Sequence, residues 1–309
     1  MSDPTQIVII GGFATTLAFF VVTAVWRARI QKITLNPPPV CAELPEDAET
    51  SPYETPSCTV ALPPDIPVGK VPVWFYHPLD LLGVGFILLI FGGLVIASFS
   101  APEPSSTTLN PSVMAANIAF QFVLAGIMVA IVSWRVNVVT WLGLRWPNWY
   151  WVLLIAPCAV VSMWLLFELL QLSGYMKWME SLGVETIQDT VKLLQESKDP
   201  KVIGLMVIAA VIAAPICEEI VFRGYLYPVM KRFVGMWPAT ICSAFIFSAA
   251  HGNLTALLPL FIFGGLLVVV YEKTGSLWAP IAVHFCFNGA TVVLQLAARY
   301  FNLPLDTAP

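Results

Sequence analysis

Charge is what this chain has least of. Only 11% of its 309 residues are Asp, Glu, Lys or Arg, against roughly 25% in ordinary soluble domains, so water is not its main solvent. With 15 Lys and Arg against 19 Asp and Glu, the chain lacks the clustered basic surface that neutralises phosphates, which excludes nucleic acid as a partner. Cysteine is sparse and unpatterned. None of the six shows a CxxC or similar metal spacing, and Cys158, Cys217, Cys242 and Cys286 lie in apolar stretches where a thiol acts as a small hydrophobe. No disulfide framework or redox compartment follows, and a pairing of Cys41 with Cys58 is left open. The opening MSDPTQ has neither the positive n-region nor the small-residue cleavage site of a secretory signal, so the apolar run behind it reads as a retained anchor. No HExxH zinc helix, no Ser or Cys in a triad context and no internal repeat is present.

What is abundant is apolar length, since 58% of the residues are hydrophobic. A span needs about 20 such residues to cross roughly 30 Å of hydrocarbon. Eight candidates fall near residues 7–26, 79–100, 113–134, 150–172, 202–222, 237–257, 258–272 and 276–297, the sixth and seventh separated only around Asn253, Thr255 and Pro259. The expected fold class is therefore all-α, a polytopic transmembrane helix bundle of about eight spans. Two parts are expected: residues 1–78, an N-terminal anchor helix with a proline-rich, acidic and extended loop over about 27–78, and residues 79–309, the multi-span bundle. Residues 175–200 place Trp178, Leu182, Val184 and Ile187 among charges, as an amphipathic surface helix does. Trp146, Trp149 and Trp151 suit an interfacial aromatic belt. If eight spans alternate, Arg27, Arg29, Lys32, Arg135, Arg145, Arg223, Lys231, Arg232 and Lys273 all fall on one side, which the positive-inside rule assigns to the cytoplasm, with both termini outside.

Ionisable groups inside a bilayer cost a few kcal/mol each even on lenient scales, so they persist where they are paired or functional. Three sets stand out. In Glu218-Glu219-Ile-Val-Phe-Arg223, Glu219 and Arg223 are helical i,i+4 neighbours, while Glu218 points about 100° away without a local partner. Such a pair of glutamates also suits a plain membrane boundary. In Phe247-Ser-Ala-Ala-His251, phenylalanine and histidine share a helical face among small residues that let a neighbouring helix approach; a lone histidine there is as well explained as a hydrogen-bonded bundle residue. In His284-Phe-Cys-Phe-Asn288, imidazole and amide face one way and are suited to stabilise an oxyanion, or to serve as interhelical polar glue worth about 0.6 kcal/mol. Two of the chain's three histidines lie in these apolar segments, and three helices presenting polar groups to one bundle favour a site over three coincidences. Glu168, near the end of the fourth span, reads as an interfacial group.

EExxxR, FxxxH and HxxxN, in that order within about 70 residues, resemble the signature motifs of the CAAX prenyl endopeptidase and bacteriocin-processing (ABI, CPBP) family. The resemblance covers about residues 200–297, a CPBP-like catalytic core, and nothing in residues 1–150. It implies an intramembrane protease in which Glu218 and His251 activate water, His284 and Asn288 stabilise the oxyanion, and Glu219, Arg223 and Phe247 support them. Two chemical routes stay open: a metal-free glutamate-dependent peptidase, toward which the amide of Asn288 argues as an oxyanion donor, or a Zn metalloprotease with Glu218, His251 and His284 as ligands. No cofactor is the leading expectation. The expected partners are membrane lipid and a peptide or protein substrate with a membrane-associated or lipidated segment. The expected location is a bacterial plasma membrane, with the site opening toward the cytoplasm. A proton-coupled transporter, or a non-catalytic immunity or scaffold protein of the same fold, are the competing readings.

Overall fold

The computed structural model describes residues 4–34, 69–73, 80–100, 111–184, 191, 193–194, 197 and 199–301. Among them the regular structure is helical throughout: α1 Pro4–Thr34, α2 Asp80–Ser100, α3 Pro111–Ser133, α4 Val138–Trp141, α5 Val152–Leu172 and α6 Tyr175–Ser181. After these come a long helix α7, Pro200–Val234, then α8 Met236–Ala249, α9 Leu254–Thr274 and α10 Trp278–Phe301. Each expected span coincides with one of α1, α2, α3, α5, α7, α8, α9 and α10. Six of them are long and apolar enough to cross a membrane, while Asp80–Leu94 and Met236–Ala249 are shorter apolar stretches. The chain is an integral multi-pass membrane protein. The proline-rich segment, apart from residues 27–34 and 69–73, and with it Cys41 and Cys58, lies outside the described residues.

α7 and α9 are the enclosed helices, with 44% and 56% of their apolar windows buried, against 11–28% for the other four long helices. α7 is also the irregular one. It widens to π geometry at Ala209–Ala213 and again at Glu219–Leu226. The cause is local. Pro215 and Pro228 each follow a π segment by two residues, and a helical proline lacks the N–H and crowds the carbonyl four residues back, so the chain inserts an extra residue per turn ahead of it. The second bulge turns the Glu218–Arg223 stretch into the bundle.

The contacts define two ends. At one, Arg135 pairs with Asp80, Lys231 pairs with Glu272, and the backbone N–H of Leu277 donates to the Leu142 carbonyl. At the other, the Tyr175 hydroxyl donates to the Thr255 carbonyl, and Arg299 donates to the carbonyls of Leu194 and Ser197. Taken in chain order, the eight apolar helices alternate between these ends, and the basic flanks among the described residues gather at the first of them, except Arg223, expected there and instead buried inside the bundle on Glu219. Trp149 and Trp151 are exposed there, and the Trp278 indole donates to the Leu144 carbonyl, as an interfacial belt requires.

Two expectations about boundaries are corrected. The sixth span does not reach residue 257: α8 stops at Ala249 and α9 starts at Leu254, because the Asn253 side chain caps the Ala256 N–H and so places the helix start ahead of Pro259. The amphipathic segment does not run unbroken from 175. α6 ends at Ser181, and Gly183, at φ 74°, takes the left-handed turn that terminates it.

Candidate active site

Glu219 is fully buried at the start of the second π segment. Its Oε1 accepts from Arg223 Nη1 at 2.8 Å and lies 2.9 Å from His284 Nδ1. Arg223, only 1% exposed, donates its second guanidinium nitrogen to the Gly264 carbonyl at 3.1 Å and stacks 4.3 Å above the Phe247 ring. A Cβ at Gly264 would meet the Ala244 backbone at 3.1 Å, so glycine there lets α8 and α9 close tightly around the guanidinium. The carboxylate is thus held by a cation and an imidazole, and the cation in turn by a backbone carbonyl and an aromatic face, which is what keeps a buried ion pair tolerable in a membrane core.

The second glutamate is placed differently. Glu218 is 23% exposed, and its Oε2 lies 4.0 Å from His284 Nε2 with no hydrogen-bond partner in the described protein. The Glu219–Arg223 pair read from the i,i+4 spacing is present; Oε2 of Glu219, like that of Glu218, has no hydrogen-bond partner among the described residues, and the two carboxylates differ in that Arg223 bonds Glu219 alone. What the spacing did not reveal is that His284 bridges the two, its rings of contact completed by Phe263 at 5.3 Å and Phe247 at 6.0 Å.

This bridge fixes proton positions. A carboxylate only accepts, so Nδ1 of His284 carries the hydrogen it gives to Glu219, and a neutral ring then has a bare Nε2. Donation from Nε2 to an oxyanion therefore needs a hydrogen on that nitrogen as well. Asn288 is likewise engaged: its Nδ2 donates at 2.8 Å to the Ala210 carbonyl, which the first π segment sets loose from the helical ladder. One amide hydrogen remains for other work.

His251 does not sit within a helix. It is exposed in the turn after α8, with Nδ1 2.9 Å from the Phe247 carbonyl and its ring 5.0 Å from that of Phe247. The small residues ahead of it and the Gly252 turn stop α8 before the fourth residue of the motif is reached. Since a carbonyl only accepts, Nδ1 holds the proton and Nε2 is free to accept. The turn lies at the end of the bundle opposite the basic flanks, the end where Tyr175 bonds the Thr255 carbonyl. Glu168 is exposed near the end of α5, as an interfacial group is.

A zinc site needs three protein donors in tetrahedral reach. Among the described residues no three His, Cys, Asp or Glu side chains gather in that way, and the Nδ1 of His284 is committed to Glu219. The set Glu218, His251 and His284 does not fit that geometry as arranged.

Sequence reading missed a second buried charge cluster. Lys231, taken as a basic flank, is 1% exposed; its ammonium bonds Glu272 and the Val71 carbonyl, while Tyr227 donates to Glu272 and Glu272 accepts from the Val71 N–H. The signal was Glu272 itself, an acid next to Lys273 at a helix end, where two opposite charges cancel in any flank count.

Comparison with known proteins comes to the same segment. Residues 200–290 match the family model of the Type II CAAX prenyl endopeptidase Rce1-like proteins. YdiL of Bacillus subtilis (strain 168) is 32% identical over 94 residues, 30% of this chain and 38% of its own. The membrane-embedded CAAX protease MroQ of Staphylococcus aureus (strain USA300) is 31% identical over 120 residues, 37% of this chain and 47% of its own. The chain spans between about a third and half of the length of these relatives. No solved structure matches it. The ordered motifs, the helices that carry them and these matches make residues 200–290 of this membrane protein similar to the Rce1-like CAAX prenyl endopeptidases.

Proposed function

We propose that the chain is an intramembrane endopeptidase that hydrolyses a peptide bond of a membrane-associated or lipidated substrate, in a bacterial plasma membrane. One observation carries the reading: an unpaired carboxylate oxygen of Glu218 faces His284 across 4.0 Å, deep in a bundle whose other carboxylate is neutralised. The gap is wide enough for one polar atom of a reacting group to interact with both. The names of the relatives, a CAAX protease among them, support a substrate that reaches the site from the lipid.

In this mechanism Glu218 takes a proton from water, and the water oxygen bonds the scissile carbonyl carbon. His251 holds the water through its free Nε2. An N–H at Nε2 of His284 and the remaining amide hydrogen of Asn288 bind the oxyanion as it forms. Glu218 then passes its proton to the leaving nitrogen as the carbon–nitrogen bond breaks, giving a carboxylate and an amine. Glu219 and Arg223 act through His284, fixing its tautomer and orientation. No step runs through a metal.

The test is cleavage of a farnesylated CAAX peptide and of its unlipidated counterpart by the full chain in proteoliposomes, with and without a chelator. Cleavage of the lipidated peptide that survives the chelator and is lost in Glu218→Gln agrees with the proposal. Undiminished cleavage by Glu218→Gln rules out the proposed base, and loss on chelation with recovery on added zinc rules out the metal-free route.

A further inference from the structure

Polar side chains continue along α10 beyond the residues assigned above. At about 100° per residue, His284, Asn288, Thr291 and Gln295 fall within a sector of about 60° on that helix. Gln295 is buried. Arg299 follows one turn later, at the end of the bundle, bonding the Leu194 and Ser197 carbonyls.

Thr291 is the informative member. A threonine inside a helix ordinarily turns its hydroxyl onto the carbonyl four residues back, as Thr15, Thr23, Thr240 and Thr274 do here. The Oγ1 of Thr291 does not; it is buried without a hydrogen-bond partner among the described residues. The indole nitrogen of Trp164 on α5 is buried in the same condition. The two stand at like depth, because α5 and α10 run parallel: α10 starts beside the Leu142 and Leu144 carbonyls ahead of α5, and Tyr175, just after α5, bonds Thr255 at the other end. A buried hydroxyl and an indole N–H left unsatisfied are costly, and in native proteins such groups are met by ordered water.

The spacing suits water. Successive polar residues from His284 to Gln295 rise by about 4.5–6 Å along the helix, and one water with a hydrogen bond of about 2.8 Å on each side spans about 5.6 Å. We propose that the polar face of α10, formed by Asn288, Thr291 and Gln295, binds a file of water molecules, with the Trp164 indole at like depth on the neighbouring α5 as a further donor. The file feeds the Glu218–His284 centre from the end of the bundle opposite the basic flanks. The feeding role rests on the hydrolase reading; the hydration of the face does not.

The experiment uses the full chain without native cysteines, in liposomes, carrying Thr291→Cys, Gln295→Cys or Val293→Cys, the last on the opposite, exposed face of α10. Silver ion, which does not partition into hydrocarbon, is the probe. The expected result is reaction at 291 and 295 at least about tenfold faster than at 293, since a thiolate forms only where water reaches it. In parallel, Thr291→Val lowers kcat several-fold at constant KM, and Thr291→Ser restores it. Equal silver reactivity at all three positions overturns the file. Fast reaction at 291 and 295 with full kcat in Thr291→Val overturns its feeding role. The silver readout needs no peptidase activity, so a wild-type chain that cleaves nothing counts against the hydrolase reading and leaves the file standing.

Discussion

Replacing Glu219 by Gln and, separately, Glu218 by Gln separates a structural carboxylate from a reactive one. Glu219 is fully buried and its single oxygen Oε1 serves both Arg223 and His284. The substitution keeps an acceptor and removes the charge, leaving the Arg223 guanidinium buried on the neutral amide oxygen, the Gly264 carbonyl and the Phe247 ring. Breaking a buried pair on one side costs about 3–5 kcal/mol, and the retained amide oxygen holds the loss to the lower end, about 3 kcal/mol. At roughly 2–4 °C per kcal/mol for chains of this order of size, Tm falls by about 6–12 °C. Glu218 is 23% exposed and its Oε2 has no hydrogen bond to lose, so Glu218→Gln leaves Tm within about 2 °C of wild type. The assay is thermal unfolding of purified full-length protein in detergent, with peptide cleavage measured on the same samples. Cleavage is abolished in Glu218→Gln despite an unchanged Tm. Equal Tm losses in the two variants, or a wild-type Tm in Glu219→Gln, refute the assignment of charge in this pair.

Other consequences follow from the same contacts. Lys231→Met leaves Glu272 buried and uncompensated and is expected to cost about 3–5 kcal/mol, while Lys231→Met with Glu272→Leu recovers part of that loss; limited proteolysis around residues 69–73, whose backbone this pair holds, rises in the single variant. Asn288→Ala strands the Ala210 carbonyl and lowers stability by about 1–2 kcal/mol, read by Tm. If its free amide hydrogen binds the oxyanion, kcat falls as well at constant KM. Ser173→Cys and Lys273→Cys lie at opposite ends of the bundle, so an impermeant maleimide applied to whole cells labels the first and spares the second if the basic end is cytoplasmic.

The fold was legible wherever hydropathy alone decides it. Apolar runs of about 20 residues have no other stable solution in lipid than helices, so all eight segments appeared at their places. Boundaries failed where a single polar side chain outweighs hydropathy, as with the Asn253 cap, and where glycine ends a helix, as at Gly183. The Glu219–Arg223 pair was legible because i,i+4 geometry is local, and it survives the π bulge. The link between Glu219 and His284 joins residues 65 positions apart and leaves no trace in local spacing. His251 was misplaced for a related reason: FxxxH presumes an unbroken helix, and the turn residues behind it decide otherwise. Lys231 was read as a flank because a lysine near a helix end normally snorkels to water; only the tertiary position of Glu272 turns it inward.

The central claim is that Glu218, which activates the water, and His284, which binds the oxyanion, serve one and the same step. A double-mutant cycle on kcat measures this, using Glu218→Gln, His284→Gln and the two combined, all verified as folded by Tm. Residues that serve a single step are strongly non-additive. The account predicts that the double variant is no slower than the slower single variant. Losses that multiply, or a Glu218→Gln enzyme that still turns over at the wild-type rate, contradict it.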